Sequence, residues 1–218
     1  MIRLYGSANT RAFRVLWMLE ELGVPYQLVR VDFDGGASRT PEFLALNPNG
    51  RVPVLDDGGL VLFESLAINL YLAEKYGSDS LWPKAAADRA RAVQWSFWAM
   101  TECERSLFAV LFGSRTGEFA KWREWTESAE FRETHPGFRM PPADEAHAAL
   151  QPPLRVLDSH LAARGSMLGG PFSAADLNVA SVLLTARLAQ MDLAGFPSLD
   201  AWLTRAMSRA ALGVAARK

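Results

Sequence analysis

The sequence predicts an α/β unit followed by an all-helical unit. Three observations carry this. Short β-type runs alternate with segments of helical apolar spacing up to about residue 78. Composition shifts at Trp82-Pro83. Beyond that dipeptide no convincing strand pattern returns. The expected division is residues 1–78 and 86–218.

In the first unit, Ile2 to Tyr5 is a β-type run that stops at Gly6. From Arg11, apolar Phe13, Leu16, Trp17 and Leu19 with Glu20 and Glu21 predict an amphipathic helix closed by Gly23. Leu28-Val29-Arg30-Val31 predicts a second strand, giving a βαβ unit with parallel pairing. Gly35-Gly36 opens a loop, and Thr40-Pro41-Glu42 starts a short helix with proline at its favoured first position. Asn47-Pro48-Asn49-Gly50 is a turn. Val52 to Leu55 and Leu60 to Phe63, joined by Asp56-Asp57-Gly58-Gly59, predict a β-hairpin. Residues 64–76 have helical spacing, so the unit reads β-α-β-α-β-β-α.

The second unit begins with one long aromatic-rich helix at about 86–112. Residues at about 113–142 are irregular, and further helices follow at about 143–164, 173–190 and 198–211. Pro152-Pro153 is expected to start or kink the first of these.

Composition narrows the function. Half of the 218 residues are apolar and the formal net charge is −1, which points to a packed core and to neither nucleic acid nor an anionic membrane as partner. No stretch reaches the ~20 apolar residues of a membrane span, and the first residues lack the apolar core of a signal peptide. One cysteine, Cys103, excludes a disulfide within the chain, so a reducing compartment such as the cytoplasm is expected.

The segment from Arg51 to Ser65 is the candidate binding floor. Proline is excluded from central ladder positions, so Pro53 lies at an edge or a bend. A cis Val52-Pro53 bond would present the Val52 backbone to an extended peptide; a trans proline on an edge strand is the alternative. Ser65, with hydroxyl and amide at a helix start, suits a carboxylate, and Glu64 suits an ammonium; a plain helix cap is the alternative.

Asn47-Pro48-Asn49-Gly50-Arg51-Val52-Pro53-Val54-Leu55, followed by Phe63-Glu64-Ser65-Leu66-Ala67-Ile68, resembles the N-terminal domain of cytosolic glutathione transferases. Leu4-Tyr5-Gly6-Ser7 and the run from Arg14 to Tyr26 are similar to bacterial, serine-class-like members. Phe172-Ser173-Ala174-Ala175-Asp176 resembles the capping box of the family's helical domain, in which Ser173 caps the helix and Asp176 reaches back. The resemblance implies a thioredoxin-like first domain, glutathione as co-substrate with no tightly bound cofactor, a small hydrophobic electrophile, a role in detoxification and a homodimer. It implies that Pro53 is cis, that the Val52 backbone pairs with the cysteinyl part, that Glu64 and Ser65 take the γ-glutamyl end, and that Arg51 and Arg39 lie near the glycyl carboxylate. For Arg39 a solvated loop charge is the alternative.

A thiol of pKa ~8.5 needs a hydrogen-bond donor to become a thiolate at neutral pH. Thr10 or Asn9 falls where relatives place a serine, Thr10 being the closer substitute; Ser7 is a third candidate, and Tyr5 packs in its strand. No cysteine lies there, which disfavours thiol-exchange relatives. The function implied is glutathione conjugation. The alternatives are a glutathione-dependent isomerase or peroxidase, or a non-catalytic binding module. Of the remaining residues, Cys103 is expected to pack, Trp95, Trp98 and Phe108 to line either core or an electrophile pocket, and Glu102 and Glu104 to form a solvated face. His135, His147 and His160 lack metal-ligand spacing.

Overall fold

The computed structural model describes residues 1–32, 36–113, 124–134 and 140–218. The first unit is a four-stranded sheet ordered β2-β1-β3-β4, built from β1 (Ile2–Tyr5), β2 (Tyr26–Val29), β3 (Val54–Asp57) and β4 (Leu60–Phe63). β1 pairs parallel with β2 and antiparallel with β3, and β3 pairs antiparallel with β4. Gly58 and Gly59, at φ 63° and 99°, make the two-residue hairpin turn, and Gly59 donates its amide to Asp56 Oδ1 at 2.9 Å.

β2 lies earlier than Leu28–Val31 was expected to run. An edge strand pairs only as far as its neighbour extends. β1 ends with Tyr5 opposite Val29, Gly6 donates to the Val29 carbonyl at 3.0 Å, and Arg30 and Val31 leave the ladder.

Helices α1 (Ala12–Leu22), α2 (Pro41–Leu46) and α3 (Ser65–Tyr76) complete the unit. Gly23 closes α1 in the left-handed conformation, and Pro41 stands at the start of α2, where the Thr40 hydroxyl accepts from the Phe43 amide. α1 is less one-sided than its sequence suggests. Ala12 and the whole run from Arg14 to Leu19 are buried, because α1 packs on α3 and on helices of the second unit.

The second unit opens with a continuous rod: α4 (Ala86–Trp98), a π-helical stretch over Ala99–Glu104, and α5 (Arg105–Gly113). Its extent matches the expected single helix; the wider turn has no signature in a 3.6-residue period. Half of the stretch expected to be irregular falls outside the described residues, but within it Ala129–Thr134 is helical (α6). α7 (Ala143–Arg164) starts well before Pro152-Pro153 and passes through both. Buried Leu150, Leu154, Leu157 and Leu161, packed on α5, hold the helix across the missing amide donors.

α8 (Ala174–Leu188) is the buried axis of this unit. Its capping box is formed as expected: Ser173 Oγ accepts from the Asp176 amide, and Asp176 Oδ2 accepts from the Ser173 amide at 3.0 Å. Asp176 Oδ1 also accepts from the Met167 amide and Trp202 Nε1, both at 3.0 Å. The expected helix at 198–211 is two, α9 (Pro197–Met207) and α10 (Ala210–Ala215). Arg209 is extended between them. Its guanidinium bonds Glu21 at 2.6 and 2.8 Å and covers the Phe172 ring, which turns α10 back onto α1.

Asp176 serves four donors while buried, so Asp176→Ala is expected to cost about 3 kcal/mol, against about 1 kcal/mol for Ser173→Ala. Urea unfolding of the two variants measures the difference; equal losses would mean that the cap alone sets the effect.

Candidate functional site

The sheet register brings the candidate residues together. Tyr5 lies opposite Val29 and Val54, and Val54 lies opposite Phe63. The loop after Tyr5, the residues before Val54 and those after Phe63 therefore leave the sheet at the same end. These are Ser7 to Thr10, Arg51 to Pro53, and Glu64-Ser65. The rod of the second unit meets this end of the sheet unit through Glu104 and Phe108, both in contact with Arg11.

Gly6, at φ 145°, makes the turn out of β1; a Cβ there would lie 2.4 Å from that of Ala12. The next residues form a tight turn. Thr10 donates its hydroxyl to the Ser7 carbonyl at 2.8 Å, and the same oxygen accepts from the Ala12 amide at 3.2 Å. Ser7 Oγ donates to Asn9 Oδ1. Two of the three candidate thiol donors are thus engaged locally, whereas Asn9 is exposed and its Nδ2 bonds none of the described residues. Tyr5 meets the Phe43 ring edge-on at 6.4 Å, as a packed strand residue does.

On the floor, Asn47 shapes the bend. Its Nδ2 donates to the Arg51 carbonyl at 2.7 Å and its Oδ1 accepts from the Asn49 amide at 3.1 Å. Gly50, at φ 59°, leaves room that a Cβ would fill at 2.9 Å from the Ser38 carbonyl and 2.8 Å from Arg39 Nη1. Arg39 therefore lies across the bend beside Arg51, and both are exposed. The Val52-Pro53 bond is cis, and Val52 stands just outside the ladder that begins at Val54.

Glu64 is exposed at φ 74°, a strained conformation for a residue with a side chain. Its carbonyl accepts from the Ile68 amide, so it opens α3 through its backbone. Ser65 is the first residue of α3 and does not cap it. Its hydroxyl is buried and accepts from Arg14 Nη1 at 3.4 Å.

Sequence reading missed the charges beneath. Glu102 is exposed, but Glu104 is buried, contrary to the expected solvated face. Glu104 Oε1 accepts from Arg14 Nη2 at 2.7 Å and from Arg11 Nε at 2.8 Å. Arg14 is itself buried. Burial works to raise the Glu104 pKa, but the two guanidinium charges outweigh it and hold the carboxyl below its ordinary value. Burial pulls the Arg14 pKa down against the attraction of Glu104. The available signal was phase: Glu104 stands one helical turn from Leu107 and Met100, on the inward face of the rod.

The remaining candidates separate. Cys103 is buried, and burial, aided by the Glu102 charge, pushes its thiol up to about 12, as suits a packing residue. Trp95 packs against Trp98 at 5.1 Å and His160 at 4.5 Å, inside the helical unit. Phe108 faces the cleft beneath the Arg11 guanidinium, 4.8 Å from ring centre to Cζ. His135 lies outside the described residues. Among those described, no cluster of His, Cys, Asp or Glu is arranged to hold a metal, and no helix is long and apolar enough to cross a membrane.

Glu104→Gln leaves the buried Arg14 without its anion and is expected to cost about 3 kcal/mol of stability at neutral pH. Because the Glu104 pKa is depressed, its contribution is full above the ordinary carboxylate value of ~4.3 and fades as pH falls through the lower folded value. Urea midpoints from pH 7 to pH 3 should converge for wild type and variant at the acid end. Parallel curves would overturn this assignment.

Comparison with known proteins follows the same map. The family model "Glutathione S-transferase, N-terminal domain" matches residues 1–74, and "Glutathione S-transferase, C-terminal domain" matches residues 141–205. The chain is 30% identical to glutathione S-transferase GstB of Escherichia coli K12, over 97% of this chain and 96% of that one. It is 40% identical over 105 residues, 45% of this chain and 48% of the other, to the disulfide-bond oxidoreductase YfcG of Escherichia coli K12. Among solved structures, the theta class glutathione S-transferase of Xanthomonas axonopodis pv. citri with glutathione bound superposes with a TM-score of 0.80 at 30% identity, covering 100% of this chain and 97% of that one. The first unit is thus thioredoxin-like, and the chain belongs to the glutathione S-transferase family.

Proposed function

We propose that this protein is a glutathione transferase that joins the glutathione thiolate to small hydrophobic electrophiles. The observation that carries the reading is the gathering of three segments at one end of the sheet: the turn Ser7 to Thr10, the Val52–cis-Pro53 bend and the Glu64-Ser65 junction. Glutathione then lies on the unit formed by residues 1–78. Its γ-glutamyl ammonium meets Glu64 and its α-carboxylate meets Ser65. Its cysteinyl backbone pairs with Val52 as an added strand, and its glycyl carboxylate faces Arg39 and Arg51. The buried positive charge of Arg14, directly behind Ser65, favours a carboxylate at that seat. The glutathione-bound relative supports the same ligand.

Thr10 or Asn9 stabilises the thiolate, Thr10 by releasing its bond to the Ser7 carbonyl, Asn9 through Nδ2 without rearrangement. The electrophile sits against the helical unit of residues 86–218, and rate comes from thiolate formation and from holding both reactants together. We place the enzyme in the cytoplasm, with glutathione as co-substrate and no resident cofactor.

Calorimetry should show glutathione binding, and 1-chloro-2,4-dinitrobenzene should be conjugated. Loss of the thiolate donor lowers the rate about 10- to 100-fold at pH 7 and moves the pH midpoint up toward ~8.5. Thr10→Ala and Asn9→Ala, measured separately, assign the donor. Binding without conjugation, accompanied by glutathione-dependent reduction of a small disulfide, would move the assignment to the chemistry of the oxidoreductase relative.

The homodimer belongs to the same proposal. Phe63 and Phe97 are 39% and 66% exposed. Asn178 ties together the two helices that they flank or belong to, since its Nδ2 donates to both the Leu66 carbonyl and Ser96 Oγ. A second copy covering them gives a solution mass of two chains, and Phe97→Glu is expected to shift it toward one chain by light scattering.

A further inference from the structure

The glutathione reading leaves a cation of the cleft unused. Arg11 follows Thr10 directly, and its side chain is 48% exposed. Two contacts fix its guanidinium from the second unit: Nε donates to Glu104 Oε1 at 2.8 Å, and the group lies over the Phe108 ring at 4.8 Å. Neither terminal nitrogen bonds any described residue. Held by Nε, the group still offers the parallel pair of N–H donors at its far end, the fork that matches a carboxylate.

The local charge points the same way. Glu104 receives both Arg11 and Arg14 on one oxygen, so two cations share one anion. Arg14 is buried and directs its other terminal nitrogen at Ser65 Oγ and Met100 Sδ. Of these two guanidinium groups, Arg11 is the one exposed toward the cleft. Its position is set before any ligand arrives, which reduces the ordering cost of binding.

We propose that Arg11 is a specificity-determining residue that selects electrophiles carrying a carboxylate, with their apolar part toward Phe108. This rests on the glutathione transferase reading above. For an aryl chloride the step balances without a further reactant: the thiolate sulfur forms a bond to the ring carbon bearing chlorine, and the carbon–chlorine electron pair leaves with chloride.

The test compares 4-chloro-3,5-dinitrobenzoate with 4-chloro-3,5-dinitrobenzamide at saturating glutathione. The two share ring, leaving group and nitro groups and differ in charge. Each kcat/KM is divided by the uncatalysed rate with glutathione at the same pH. Wild type is expected to favour the carboxylate about tenfold, the scale of one partly solvated charge-assisted hydrogen bond. Arg11→Gln should bring the ratio close to one, mainly through KM for the carboxylate. Arg11→Lys should keep part of the preference, and added salt should erode it in wild type. Matching unfolding midpoints show that both variants are folded. A wild-type ratio near one overturns the proposal. So does an Arg11→Gln variant that loses both substrates equally while its pH midpoint rises, because Arg11 would then act on the thiolate. If wild type fails to bind glutathione, the underlying reading falls and this one with it; binding with no charge preference removes this one alone.

Discussion

A guanidinium buried in the first helix has to find an anion, and the one it finds belongs to the other half of the molecule. Arg14 lies among Val15, Leu16, Trp17 and Leu19 inside the structure, where an unpaired charge would be severely penalised. Glu104, one turn from Leu107 on the rod, supplies the charge. Hydrophobic packing alone would let α1 slide or rotate against the rod, since apolar contacts have no preferred direction. The ion pair fixes one relative placement, and with it the spacing between the floor of the cleft and its far wall. The Ser65 hydroxyl and Arg11 both hang on this pair, so cleft and interface are shaped by the same atoms.

The sheet performs the complementary task. A strand pair has a two-residue period and a fixed register, so placing Tyr5 opposite Val54, and Val54 opposite Phe63, decides which loops share an end. Asn47, Gly50 and cis-Pro53 then set how the middle loop departs. These residues never need to touch a ligand to determine where one lies.

Much of the fold was legible because local signals agreed with one another. Gly23, Pro41, the Gly58-Gly59 turn and the Ser173–Asp176 box each terminate or open an element where residue chemistry says they should. What escaped reading was set by tertiary contact. β2 ends where β1 ends, a fact about its neighbour and not about Leu28 to Val31. The last helix breaks because Arg209 reaches Glu21 across the molecule. α7 runs through two prolines because leucines on its buried face outweigh the missing donors. In the site, the motif residues were visible as types in a familiar spacing. The pairing of Arg14 with Glu104 was not, because phase can mark Glu104 as inward-facing but no local pattern joins two residues separated by the length of a domain. The engagement of the Thr10 hydroxyl by Ser7 is likewise a matter of ångströms that letters do not encode.

The return of α10 onto α1 has a wider meaning. A single continuous apolar cluster runs from Ile2 and Leu4 through Leu72, Leu107 and Leu154 to Ala215. The boundary near Trp82-Pro83 separates two topologies without separating two cores. Neither half can be cut away without exposing the side of α1 that the other half covers. Such a chain is expected to melt as one cooperative body, and to resist being shuffled with foreign partners at its linker unless the incoming half brings its own cover for that helix.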